Sequence, residues 1–339
     1  MKIKPSFPSW LIWLLRLGLG VALIILLARQ QGASVLGAPQ NISWPTLFIA
    51  VAWYLFSQVI SASKWKLLLG AALRQMRAEG STPFSAPGLG ECYRFYLIGM
   101  FCNLWLPTAV GGDAIRATLA GNRWNNFALA ASSILVERLT GLLALLLIGA
   151  IGWFLWWPQQ AALQTGGAPV LSLAAAAAFV AGVLCTLLWT LRRWALHLET
   201  SSHSQWIAKW AQLHRALDTF TAPQMRPALW QALALSVVFH GAQIGLQLFL
   251  ARAVGLNLAP ITFLWLVPSL AIASMIPLGL GGLGVREGAA LVLLQSAASP
   301  HFSAEPSVIL TWSLLWQVTL WLSGLPGALA YAFQNRTPK

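Results

Sequence analysis

Nine apolar runs divide the chain, at about Ser9–Leu27, Trp44–Ile60, Phe95–Val110, Phe127–Trp157, Pro169–Leu191, Ala228–Ala251, Ile261–Leu280, Ala289–Ala298 and Val308–Phe333. None shows the polar–apolar alternation of a barrel strand, and most approach the ~20 apolar residues that a spanning helix needs. The pattern predicts an all-α polytopic membrane protein. Two runs are abnormal. Phe95–Val110 has 16 residues and runs into Pro107 and Gly111-Gly112, and Ala289–Ala298 has only ten, about half a bilayer.

The interruptions share one pattern. "LPTAVGGDAIRAT" (Leu106–Thr118) and "IPLGLGGLGVREG" (Ile276–Gly288) both read Pro, three residues, Gly-Gly, two residues, Ile or Val, then Arg. The matching positions are Pro107/Pro277, Gly111/Gly281, Gly112/Gly282 and Arg116/Arg286. Broken helix at membrane depth is tolerated only where protein or a wet cavity shields the backbone. Charged connections then set direction. Lys2 and Lys4 put the N-terminus inside, and Gln30–Ser43 is uncharged. Lys64, Lys66, Arg74 and Arg77 mark an inside loop. The basic loop Arg192–Arg226 falls inside only if Phe95–Arg123 dips in and returns. Ile261–Ala298 must then do the same from outside, and Arg336 and Lys339 end inside. The expected fold is a helical bundle with two opposed re-entrant broken-helix hairpins related as an inverted repeat. Such pairs point to a substrate site.

Composition sharpens this picture. The chain is 58% hydrophobic and 9% charged, against about 25% charged in soluble domains. We read residues 1–339 as a single membrane domain, with halves of about 1–157 and 169–333. The net charge of +13 fits the positive-inside bias better than nucleic-acid binding, and no nucleic-acid partner is expected. The run from Trp10 contains Arg16 and lacks a convincing cleavage site, so it reads as a retained first helix. Cys92, Cys102 and Cys185 have no metal spacing and read as packing residues.

Five acidic residues, Glu79, Glu91, Glu199, Asp218 and Glu305, fall in predicted loops. The other three sit near arginines in or beside apolar runs: Asp113 with Arg116, Glu137 with Arg138, and Glu287 with Arg286. Intramembrane ionisable groups are functional candidates. Each Gly-Gly precedes a helix start, with Asp113 as a candidate N-cap. An arginine in that first turn is disfavoured unless an anion is near, and two helix N-termini with two guanidiniums would suit phosphate. Mutual neutralisation of the charges is the competing reading. Glu137 and Arg138 precede enough apolar chain to span a membrane, so they also fit the cytoplasmic edge. His240, Gln243 and Gln247 share one helix face, suited to interhelical hydrogen bonds or to a polar cavity. "GLGGLG" (Gly279–Gly284) matches a dinucleotide fingerprint formally but follows no strand.

Three stretches, "NLWLPTAVGGDAIRA" (Asn103–Ala117), "ILVERLTGLLAL" (Ile134–Leu145) and "SMIPLGLGGLGVREGAALVLL" (Ser274–Leu294), resemble in order and spacing the transmembrane flippase domain of bacterial lysylphosphatidylglycerol synthases. The resemblance covers nearly the whole chain. It implies a bundle with re-entrant helices that moves aminoacylated phosphatidylglycerol between leaflets. The positions it carries over are Gly111, Gly112, Asp113, Arg116, Glu137, Arg138, Gly281, Gly282, Arg286 and Glu287. No soluble aminoacyl-transferase domain is recognisable, so synthase activity is not expected.

The leading expectation is an inner-membrane flippase or transporter for an anionic or phosphate-bearing lipid, with both termini cytoplasmic. Arg116 and Arg286 would bind phosphate, while Asp113, Glu137 and Glu287 orient them or meet a cationic headgroup. No cofactor, metal ligand or catalytic residue is expected. A membrane phospholipid or polyprenyl-phosphate lipid is the expected partner, and a second copy of the chain stays open. The alternatives are a membrane glycosyltransferase using a polyprenyl-phosphate donor, or an accessory subunit of such a pathway.

Overall fold

A computed structural model describes residues 43–78, 85–105, 111–161, 215–275, 283–296 and 305–334, with isolated positions 18, 22, 25, 29 and 212. The predicted run Pro169–Leu191, most of Ser9–Leu27, and Pro107, Cys185, Pro277, Gly281 and Gly282 lie outside the described residues. Nine helices are described: α1 (Trp44–Ala78), α2 (Leu89–Trp105), α3 (Gly111–Arg123), α4 (Phe127–Ala161), α5 (Arg226–Ala253), α6 (Pro260–Ala273), α7 (Val285–Ser296), α8 (Pro306–Gly324) and α9 (Pro326–Gln334). No strand occurs among the described residues. Four stretches are long and apolar enough to cross a membrane: Trp44–Arg77, Phe127–Trp156, Pro223–Ala253 and Pro306–Phe333. The protein is therefore an integral membrane protein. Phe48, Phe56, Phe154 and Trp230 are each at least 70% exposed, which suits lipid and not water.

Local signals start these helices. The Ser43 hydroxyl accepts the Thr46 N–H at 3.4 Å, and the Asn126 carbonyl oxygen accepts the Leu129 N–H at 2.9 Å. Both are N-caps that satisfy donors left free by the first turn. Pro260 and Pro306 open α6 and α8, where a missing N–H costs nothing. Asn125, with φ of 49°, makes the tight turn between α3 and α4.

Two expectations are corrected here. Helix α1 does not stop near Ile60. No proline follows, and Ser57, Ser61, Lys64 and Leu68 keep helical spacing on its buried face. Lys64 therefore lies inside the bundle, not in a loop. Helix α2 begins at Leu89, before Phe95, which places Glu91 in its first turn.

The contacts give the directions. Met76 meets Asn126, Trp65 meets Ser133, and Lys64 meets the Glu137 carbonyl, so α1 and α4 run antiparallel. Lys64 with Ser236 and Ser57 with Gln243 set α5 antiparallel to α1 as well. Helices α4 and α5 thus run parallel. The chain between α1 and α4 must return to the end it left, and α2 and α3 do this. Asn103 meets Gly112, Gly99 lies against Arg116, and Glu91 pairs with Arg123, the register of an antiparallel hairpin. Arg74 and Arg77 on α1, Arg123 on α3 and Arg226 on α5 gather at this end of the bundle.

Two apolar cores stack along the bundle. The first, at the basic end, holds Trp65 and Leu68 of α1, Phe95 of α2, Ala117 and Ala120 of α3, Ile134 of α4 and Ala232 of α5. The second holds Ala50 of α1, Trp156 of α4, Leu250 of α5, Trp265 of α6, Leu291 of α7 and Trp312 of α8. Between them lie Ser57, Gln58 and Ser61 on α1, Glu137 and Arg138 on α4, and Ser236, His240 and Gln243 on α5. A polar layer thus crosses the middle of an apolar protein. Helix α3 starts beside this layer and descends into the first core. Helix α7 starts beside it and enters the second.

The α2–α3 approach depends on small residues. A Cβ at Gly112 would run into the Gly99 carbonyl oxygen and the Asn103 side chain. We predict that Gly112→Ala lowers the melting temperature in detergent, because overpacking costs about 1–3 kcal/mol. Gly241→Ala, with no atom within 4 Å of the added carbon, should leave it unchanged or raised. A Gly112→Ala protein as stable as wild type would refute the close approach.

Candidate functional site

Glu137 is the meeting point of the polar layer. It is 2% exposed. One carboxylate oxygen accepts the Arg116 Nη2–H at 2.9 Å, and the other accepts the Tyr96 hydroxyl. The Lys64 ammonium stands 3.6 Å from that second oxygen. Lys64 also donates to the Glu137 backbone carbonyl at 3.0 Å and to the Ser236 hydroxyl at 3.1 Å. Helices α1, α2, α3 and α5 thus converge on one turn of α4. Glu137 lies inside this network.

Arg116 is 2% exposed and paired with two carboxylates, Asp113 and Glu137. Its Nη1 donates to Asp113 at 2.9 Å, and its guanidinium lies 3.6 Å from the Tyr96 ring centre and 4.5 Å from that of Trp65. Asp113 also takes two bonds from Arg138, at 2.8 and 2.7 Å, in a bidentate pair. The Arg138 side chain is 53% exposed. Asp113 is not the N-cap expected, because α3 already begins at Gly111. The Asn103 side chain of α2 caps it, accepting the Gly112 N–H at 2.7 Å. Charge lies opposite charge here.

The second motif differs. Glu287 is 0% exposed. It reaches back to the Gly284 N–H at 2.6 Å, the reciprocal half of a capping box, and accepts the Ser313 hydroxyl at 3.1 Å. Gly284 supplies the left-handed φ of 85° that this turn requires. Arg286 is 6% exposed, yet no carboxylate among the described residues pairs with it. Among the described residues its Nε and Nη2 have no hydrogen-bond partner, and its guanidinium lies 5.1 Å from the Trp316 ring centre.

The two arginines are held apart. Arg116 stacks on Trp65, and Arg286 stacks on Trp316, whose ring meets Tyr54 at 5.6 Å. Tyr54 and Trp65 are eleven residues apart on α1, roughly 16 Å of helix. The polar layer separates them. Among the face residues of α5, His240 bonds the Gly141 carbonyl at 2.9 Å and Gln243 donates to Ser57 at 2.6 Å. The Gln247 amide has no partner among the described residues. Cys92 and Cys102 are free.

Lys64, Tyr96, Trp65, Asn103 and Trp316 were not singled out from sequence. Lys64 could have been, since it falls on the serine-lined face of α1 at helical spacing. The others act through tertiary contact alone.

Residues 13–327 match the family described as the lysylphosphatidylglycerol synthase TM region, and the chain belongs to that family. No curated protein and no solved structure matches it.

The network makes a stability prediction. Glu137→Gln leaves Lys64 and Arg116 buried without their shared anion, which should cost about 3–5 kcal/mol. Arg138→Gln removes a half-exposed pair and should cost about 1 kcal/mol or less. Unfolding in detergent compares the two. Equal losses would contradict Glu137 as the centre.

Proposed function

We propose that this member of the lysylphosphatidylglycerol synthase transmembrane-region family moves an anionic, phosphate-bearing lipid between leaflets. One observation carries the reading: Arg286 is a buried guanidinium with no carboxylate partner among the described residues, in the first turn of a helix that begins at mid-bundle. A buried cation without an anion is costly in a membrane. A lipid phosphate supplies the missing charge, and guanidinium suits it through bidentate hydrogen bonds. The α7 N-terminus adds a favourable dipole.

The architecture supports the same reading. Helices α2–α3 and α6–α7 act as opposed re-entrant hairpins, entering from the two faces as an inverted pair. The basic end faces the cytoplasm, by the positive-inside bias, and a gradient or lipid supply drives the movement. A transferase would need a carboxylate free to act as base, whereas Asp113, Glu137 and Glu287 are each engaged.

The test is lipid movement in vesicles holding fluorescent phosphatidylglycerol, read with a membrane-impermeant quencher. Arg286→Gln should slow the loss of inner-leaflet signal about tenfold or more, since a hydrogen bond to a charged group contributes ~1.5–3 kcal/mol. Fluorescence and gel filtration first establish that the variant folds. Equal rates for wild type and variant would refute Arg286 as the lipid's ligand.

A further inference from the structure

Near Arg286, buried amides border the second core, and their described partners use them only in part. Gln243, Gln247 and Gln317 are 7%, 0% and 3% exposed. Among the described residues, the Gln243 and Gln317 carbonyl oxygens have no partner, and neither does either amide atom of Gln247. In a protein interior such groups are normally satisfied. These three span one turn of α5, roughly 6 Å. The Trp312 indole donates to the Gln247 backbone carbonyl at 3.0 Å. Helix α8 runs antiparallel to α5, so Trp316 and Gln317, one turn beyond Trp312, stand opposite Gln243. Tyr54 confirms that register. Its ring meets Trp316, and its carbonyl accepts from Ser57, which in turn accepts from Gln243. Arg286 stacks on the same Trp316.

The chemistry of this set is selective. Amides offer acceptors and donors with no net charge, the complement of hydroxyl groups, which also both donate and accept. A cationic headgroup would need a free carboxylate. Glu287, the acid adjacent in sequence, is spent on Gly284 and Ser313, and Arg286 repels a second cation. We infer that the lipid whose phosphate meets Arg286 carries a neutral, hydroxyl-rich headgroup, a polyol or sugar, held by Gln243, Gln247 and Gln317. This rests on the transport reading above for the phosphate, and adds the headgroup.

Binding, rather than movement, tests it. Purified protein in detergent is titrated with phosphatidylinositol, phosphatidic acid and lysylphosphatidylglycerol, with thermal stabilisation and native mass spectrometry as readouts. Phosphatidylinositol should bind at least tenfold more tightly than phosphatidic acid, and lysylphosphatidylglycerol should bind least. Gln247→Leu/Gln317→Leu should bring phosphatidylinositol down to the level of phosphatidic acid and leave the latter unchanged. Gln317→Glu, which adds a carboxylate, should turn the preference toward lysylphosphatidylglycerol, a gain that mere loss of packing would not produce. Inositol 1-phosphate should compete at least a hundredfold more weakly than the lipid; equal competition would overturn the lipid assignment. Equal binding of phosphatidylinositol and phosphatidic acid by wild type, or a preference that survives the glutamine substitutions, overturns the headgroup inference. Selective binding without movement in vesicles would leave that inference standing and remove the transport reading. Movement without headgroup selectivity would do the reverse.

Discussion

The bundle turns on one buried carboxylate. Glu137 draws Arg116 from α3, Tyr96 from α2 and Lys64 from α1 onto a single turn of α4. Taking so many charged groups out of water is expensive, and mutual attraction repays it only when hydrogen bonds are nearly complete. Here they are: the second arginine arm reaches Asp113, and Asp113 in turn binds Arg138. Hydrophobic packing alone is a weak organiser within lipid, whose tails are as apolar as the side chains. The ionic network therefore specifies which helices meet and at what height. Arg116 tethers α3 to α4, and Asn103 of α2 caps the Gly112 N–H in its first turn.

That constraint shapes the polar layer. The two apolar cores hold their helices from either end, and the layer between them is where α3 and α7 begin. Starting a helix leaves unpaired N–H groups. The protein satisfies at least one at each motif with a side chain: Asn103 for Gly112, Glu287 for Gly284. Breaking helices at this depth is thus affordable on both sides, while the residues that follow return at once to apolar packing.

Much of the architecture was legible in the chain. The four long helices follow from apolar length, while Pro107, Pro277, Gly281 and Gly282 of the two interruptions lie outside the described residues. The returning path between α1 and α4 follows from counting basic residues. The charged constellation was legible only as a list of candidates. Lys64 read as a loop charge because one lysine in a polar stretch looks the same whether it marks a cytoplasmic end or points into a core. Its role appears only once Glu137 and Ser236 arrive from residues 73 and 172 positions away. Asp113 read as a cap because an acid after Gly-Gly fits that position, yet a helix beginning two residues earlier turns its carboxylate toward two arginines.

The two motifs, alike in sequence, differ in what they face. Helix α3 lies against the stretch of α4 that carries Glu137, so Arg116 finds an anion fixed in the structure. Helix α7 lies against α8, where Ser313, Trp316 and Gln317 offer hydroxyl, ring and amide but no charge. The acid beside Arg286 in sequence makes no ion pair with it, because Glu287 turns back to the Gly284 N–H in the left-handed turn. A repeated pattern therefore sits in two different surroundings. Arg116 is held by two carboxylates and two rings, whereas Arg286 meets the Trp316 ring and, among the described residues, no carboxylate pairs with it. The sequence repeat sets where each arginine enters its helix, and the helix it packs against sets what that arginine meets.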